Sequence, residues 1–534
     1  MTEPVRQRTV SRRRWLVGCV VAAVAAAAAL AAATTAGGTG RVGAVGSGWQ
    51  AFLARSRDLG RDTGPVQFLV DLRRDPDTQR LRQWASDHDL QEQVLAGLAT
   101  AVIGGNARLV GAALGVRIDN FRAPGGQEFY ASRGLPRTPA ALRGEVSEIG
   151  RITSYGPMES HITWPAASLR AAGLNASDLL DVYGARPLMA GGYTGAGQTI
   201  VFFESDGYRQ SDLNEYAARN RLPPFTVAIV GSNPGSGTET PMDLEVAHGI
   251  ADGARLVYLN ILSIRATNPA VAWELAFSTA AADYPGAIWS ISLGICERAF
   301  NAADLDAINK AVSAAESRGT SVFAASGDAG GNECAGAVGP DQGVSMPADL
   351  PAVTGVGGTT LKVSPPGTYV GETTWSLPLL SQGSGGGVSS FFGRPVWQSA
   401  PGVAGSTGVQ SPCFDSSGCR DVPDVSADAD PSTGAQIVEN GTAYLGGGTS
   451  QATPIWAGLM ALIDAYLRGH RKPMVGFANP WLYRLARGAP LLPVHDITIG
   501  GNNYFAAGPG YDAVTGLGSP RAWNLARDLA AAGA

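Results

Sequence analysis

Gln198–Gly207 reads QTIVFFESDG, and the fold turns on how that decapeptide is understood. Five residues of β-branched and aromatic character, Thr199–Phe203, with no polar alternation describe a strand buried on both faces. The run stops at Glu204-Ser205-Asp206-Gly207, acidic and turn-forming. Further short apolar strands are expected at Leu256–Leu262, Ala287–Ser292 and Ser321–Ala325, with helices over Met242–Ala251, Pro269–Ala281 and Ala303–Arg318 between them. Such alternation argues for an α/β fold: a doubly wound parallel sheet with helices on both faces. In these sheets ligands bind outside the carboxyl ends of the strands. Glu204, Ser292 and Asp328 fall there.

A second stretch supplies a nucleophile. Gly446–Pro454, GGGTSQATP, runs into the apolar periodic segment Ile455–Leu467. The glycines permit close backbone approach. Ser450 would sit at a helix N-terminus, where unpaired N–H groups and the dipole favour a developing oxyanion. Pro454 is expected within the first turn, where its missing N–H costs nothing. By itself the string also describes an ordinary N-cap.

Two carboxylates supply a base. Glu239 and Asp243, in ETPMD, stand four apart at the start of a helix and therefore share one face. Such a pair titrates as a unit and serves a more acidic range than histidine. The competitor is His248, with Asp206 as its partner, in a subtilisin-type triad with Ser450. His248 lies five residues past Asp243, about 140° around the helix, so one face does not present all three. His88, His161, His470 and His495 occupy no catalytic context.

The 534 residues carry a net charge of −5 and no basic patch with interleaved aromatics, which argues against nucleic-acid binding. Ser11-Arg12-Arg13-Arg14-Trp15 precedes an apolar, Ala-rich run over Leu16–Ala33; residues 1–36 read as an export signal of twin-arginine character or as an uncleaved anchor. Export makes the remaining cysteines candidates for disulfides. Cys413 and Cys419 bracket a short loop, leaving Cys296 with Cys334, although four cysteines permit three connectivities.

Residues 48–155 form a separate small α+β unit. Val66, Phe68, Val70 and Leu72 alternate as in a strand, and helices are expected over Asp77–Trp84, Leu90–Val102 and Ala107–Leu114. VRIDNF alternates again. Ala123–Pro165 reads as an exposed connection open to proteolysis, with the linker at 156–171 and the main body at 172–534.

Taken in order, ETPMD, Ala325–Gly330 (ASGDAG), Met346–Leu361, Gly385–Gln398, Val422–Gly434, GGGTSQATP and Gly508–Pro520 resemble the sedolisin family of serine-carboxyl peptidases. The resemblance implies a subtilisin-like fold with Ser450 as nucleophile, Glu239 as base, Asp243 as its orienting carboxylate and Asp328 in the oxyanion hole. Glu204 matches a glutamate that extends the family's carboxylate chain. The family usually has an aromatic where Leu293 stands. The 48–155 unit resembles the family's ferredoxin-like activation propeptide, an intramolecular inhibitor. A Ca2+ site is also implied, with the Asp496 and Asp512 side chains and the carbonyls of Ile497, Gly508 and Gly510. The expectation is a secreted, monomeric acid endopeptidase, acting on proteins or peptides, made as a zymogen and touching a membrane only through its N-terminal segment. The alternatives are a histidine-dependent peptidase and an inactive cell-surface binding homologue.

Overall fold

The computed structural model describes residues 44–73, 76–163, 173–364, 367–399 and 418–533. The expected signal or anchor at 1–36 lies outside them. Among the described residues no helix is long and apolar enough to cross a membrane.

The parallel sheet is present and is wound as the alternation requires. Its spatial order is Val227–Val230, Arg255–Asn260, Thr199–Glu204, Ile288–Ile291, Ser321–Ala325, Thr354–Ser364. Thr354–Ser364 then pairs in parallel with Val425–Asp428 and antiparallel with Thr368–Thr374. Thr199–Glu204 comes first in sequence and sits third in space. The chain therefore winds outward one way and then the other, and the order reverses between Thr199–Glu204 and Ile288–Ile291. At that switch the helices on the two faces diverge and leave a crevice above the strand ends.

Two helices run inside this body. Glu239–Ile250 is buried along its whole length, as is Thr449–Gly469 from Thr449 to Leu467. Neither shows the one-sided stripe of a surface helix, because each is enclosed by the sheet on one side and by other helices on the rest. The Cys296–Cys334 disulfide forms as expected and closes the segment that contains Asp328. Cys419 is also disulfide-bonded; its expected partner, Cys413, lies outside the described residues.

The N-terminal unit is ferredoxin-like. Strands Pro65–Leu72, Gln91–Leu95, Thr100–Asn106 and Val146–Ile149 and helices Thr78–Asp87 and Ala107–Leu114 follow one another as βαββαβ. The sheet order is Gln91–Leu95, Thr100–Asn106, Pro65–Leu72, Val146–Ile149, all antiparallel. The helix expected over Asp77–Trp84 spans Thr78–Asp87, and Asp77 caps it, accepting from Gln79 N.

Two expectations fail in this unit. Leu90–Val102 is not a helix but parts of two strands, broken at Gly97 (φ 78°) and Ala99 (φ 47°). Its Leu/Ala-rich composition favours helix weakly, and pairing of Gln91–Leu95 with Thr100–Asn106, and of the latter with Pro65–Leu72, outweighs that preference. Gly104-Gly105 lies within the strand Thr100–Asn106, and a Cβ on Gly105 would press on Leu90 at 2.7 Å. Nor is Ala123–Pro165 an open connection. Glu128–Ser132 pairs with Ile118–Arg122, Val146–Ile149 completes the four-stranded sheet, and Glu159–Ser160 pairs with Leu293–Cys296. Scattered Gly, Pro and Arg residues conceal strands too short for alternation to register. Of the linker, residues 164–172 are outside the described set.

This unit docks on the N-termini of helices Pro269–Asp283 and Ala302–Glu316. Asn268 caps the first helix and donates from its amide to the carbonyls of Gln67 and Arg151. Asp304, in the capping box of the second, accepts the Arg151 backbone N–H at 3.0 Å. Leu69, Leu95 and Val102 join the core cluster around Trp273 and Phe277.

Candidate active site

The crevice is built from helix starts and strand ends. Thr238, at the N-cap of Glu239–Ile250, makes no side-chain cap. Asp206, just past the end of Thr199–Glu204, does so from a distance. Its carboxylate accepts the backbone N–H groups of Thr238 (2.6 Å), Glu239 (3.0 Å) and Thr240 (3.1 Å), and the Thr240 hydroxyl. A negative group among the free donors of a helix N-terminus suits both hydrogen bonding and dipole. The strand thereby fixes the helix turn that bears Glu239.

Glu239, Asp243 and Glu204 converge below the sheet switch, each no more than 1% exposed. Ser292 Oγ donates to Asp243 Oδ2 at 2.6 Å, and Thr240 Oγ1, whose proton goes to Asp206, lies 3.2 Å from Glu204 Oε2. Asp243 and Glu204 lie close enough to repel each other when both are charged. Burial, then mutual repulsion, raises Glu239 and Glu204 well above the usual carboxyl range; burial does the same to Asp243. Three buried oxygens, Glu239 Oε1, Asp243 Oδ1 and Glu204 Oε1, have no conventional donor. Carboxyl oxygens buried in this way are satisfied by protons shared between the acids, so the group carries less than its full charge.

Ser450 sits opposite. The helix starts at Thr449, where the sequence places it, but Pro454 is past its first turn rather than in it. Without an N–H, Pro454 leaves the Ser450 carbonyl unclaimed by the helix. Ser292 Oγ approaches that carbonyl at 3.3 Å. The Ser450 hydroxyl donates to the Ser292 carbonyl at 3.2 Å and is close enough to Glu239 to pull that acid's pKa down. Nucleophile and carboxylate pair are thus brought together.

Asp328 completes the opposite wall. Its Oδ1 accepts Thr449 N at 2.8 Å and Thr449 Oγ1 at 2.9 Å. Burial lifts its pKa to about 7. Gly448, at φ 87°, lies where any Cβ would strike Asp328 Oδ2, the His161 carbonyl oxygen and Thr163 N. Only glycine allows those three groups to meet.

The crevice is filled by the chain's own linker. Ser160 and Glu159 pair antiparallel with Leu293 and Gly294. The His161 N–H donates to the Ser292 carbonyl at 3.2 Å, and the His161 carbonyl accepts the Ser450 N–H at 3.1 Å. Thr163 N donates to the Gly447 carbonyl at 3.2 Å, and Thr163 Oγ1 to Asp328 Oδ2 at 2.7 Å. Ser160 Oγ donates to Glu239 Oε2. An extended backbone with its carbonyl on the serine N–H is the disposition of a peptide about to acylate that serine. Sequence reasoning missed Ser160, His161 and Thr163, since ESHIT reads as polar linker and only tertiary placement gives it meaning.

The histidine alternative finds no geometry. His248 Nε2 contacts the Pro223 carbonyl at 3.0 Å and its ring stacks on Phe225 at 3.8 Å. Burial lowers its pKa to about 4. Asp206, its supposed partner, is engaged at the helix cap.

Asp496 and Asp512 flank one loop. Asp496 Oδ2 accepts Gly510 N at 2.9 Å and Asp512 Oδ2 accepts Gly508 N at 3.1 Å. Among the described residues no three His, Cys, Asp or Glu side chains gather as a metal cluster. A cation held here would draw half its shell from carbonyls, and an all-oxygen set of this kind fits a hard ion.

A profile of the subtilase family matches residues 226–472. Kumamolisin of Bacillus sp. (strain MN-32) is 33% identical over 477 residues, 83% of this chain and 81% of that protein. Sedolisin of Pseudomonas sp. (strain 101) is 30% identical over 444 residues, 78% and 72% of the two chains. Tripeptidyl-peptidase 1 of Homo sapiens is 28% identical over 414 residues, 72% and 70%. Among solved structures, Pseudomonas sedolisin, a serine-carboxyl proteinase complexed with pseudo-iodotyrostatin, superposes with a TM-score of 0.58 at 28% identity, covering 68% of this chain and all of that one.

Proposed function

The chain belongs to the sedolisin family and is a serine-type peptidase, and from that premise we propose that it is an exported acid endopeptidase made as a zymogen. Residues 48–155 are its propeptide, Ser450 the nucleophile, Glu239 the base, Asp243 the acid that orients it and Asp328 the oxyanion donor. The observation that carries this reading is the Glu159–Thr163 backbone lying over Ser450 as a substrate would.

On this reading Ser450 Oγ attacks the His161 carbonyl carbon and its proton passes to Glu239. The developing oxyanion is held by the Ser450 N–H and by Asp328, which donates only while protonated. With a pKa of about 7, Asp328 keeps that proton at acid pH and loses it as pH rises through neutrality. Glu239 returns its proton to the Ile162 nitrogen as the C–N bond breaks, and water hydrolyses the ester on Ser450. Before His161 the chain continues through Ser160 and Glu159 along Leu293–Gly294, which favours an endopeptidase over removal of terminal tripeptides.

Asp496 and Asp512, with the Ile497, Gly508 and Gly510 carbonyls, would hold calcium and pin their loop. The ion takes no part in the reaction.

Acidifying the purified full-length chain should give a new N-terminus at Ile162, and Ser450→Ala should stay intact. Cleavage only elsewhere, or cleavage of the Ser450→Ala chain, contradicts the reading.

A further inference from the structure

Ser160 is exposed, yet its hydroxyl donates to Oε2 of the buried Glu239. Glu239 is the acid that must take the Ser450 proton, and Ser450 Oγ meanwhile donates to the Ser292 carbonyl instead. A hydrogen bond to a carboxylate stabilises its charged form and makes it a weaker base. The strand Glu159–Ser160 holds its register through backbone pairing with Leu293 and Gly294, which the hydroxyl does not serve. Ser160 also precedes His161, so it lies on the side that cleavage discards.

Building on the zymogen reading above, we propose that the Ser160 hydroxyl is a self-removing brake on activation. In the intact chain it occupies Oε2 of Glu239 and slows proton removal from Ser450. When attack does occur, the Ser450 Oγ–C bond forms at His161 and the proton goes to Glu239. The His161–Ile162 bond then breaks with that proton delivered to the Ile162 nitrogen, and water frees His161 as a carboxylate. The brake leaves with the propeptide, so the mature enzyme no longer carries it.

The test follows first-order loss of the full-length chain after a shift to acid pH, for the parent, Ser160→Ala, Ser160→Thr and Ser450→Ala, at several protein concentrations. Ser160→Ala should self-cleave roughly tenfold faster than the parent, the gain set by one charge-assisted hydrogen bond. Ser160→Thr, which keeps the hydroxyl, should stay within about twofold of the parent. All matured products share one sequence from Ile162 onward, so their kcat/KM on a peptide must coincide; only the activation step is altered. An unchanged or slower Ser160→Ala, or a Ser160→Thr as fast as Ser160→Ala, overturns the brake while leaving the zymogen intact. A parent that does not self-cleave through Ser450 overturns both, and the Ser450→Ala arm tells the cases apart.

Discussion

At the scale of single residues, the carboxyl mechanism and the histidine mechanism make opposite demands on the same helix. Glu239 is within hydrogen-bonding influence of Ser450, and Asp243 is tied to Ser292. His248 is stacked on Phe225 and bonded to the Pro223 carbonyl. Glu239→Gln keeps the size and polarity of the side chain but removes the proton acceptor, and loss of a general base costs on the order of 10²–10⁴ in turnover. His248→Gln preserves a donor for Pro223 and removes nothing that faces Ser450. Glu239, Asp243 and Ser450 were legible because helical spacing and short motifs encode them locally. Ser292 was legible only as a strand end. Ser160 was not legible at all, since its role exists only once residues 79 positions apart are brought together.

At the scale of elements, strand–helix alternation located four strands of the sheet to within a residue or two, because strands buried on both faces leave continuous apolar runs, but it did not find Thr354–Ser364. The pattern failed where composition and pairing disagreed, as at Leu90–Val102. It also could not assign Asp206, which resembled a triad member and is a cap delivered by a strand to a helix 33 residues on. Asp206→Ala should lower stability by about 1–2 kcal/mol, read as an earlier urea midpoint, and should also reduce turnover by loosening the turn that carries Glu239. Asp206→Asn, which still accepts from backbone N–H groups, should recover most of the midpoint. An Asp206→Ala chain as stable as the parent would show that the cap does not hold the helix.

At the scale of the whole molecule, the fold buries acids besides the three of the catalytic cluster. Desolvation raises Asp464 and Glu372 to about 7 and Glu274 and Asp428 to about 8. The folded state therefore keeps protons that the unfolded chain releases. The stability tied to these groups is complete below about pH 4, the ordinary carboxyl range, and is lost as pH rises through 7 to 8. A thermal midpoint series at constant ionic strength should accordingly peak at acid pH and fall between pH 4 and 8; a flat or rising series contradicts it. The raised carboxyls of the crevice and those of the body then share one cause, burial. The most direct measurement is self-cleavage at acid pH of the full-length parent, Glu239→Gln and His248→Gln chains. The account predicts that Glu239→Gln falls by at least about a hundredfold while His248→Gln matches the parent; a His248→Gln enzyme that is dead beside an active Glu239→Gln would contradict it.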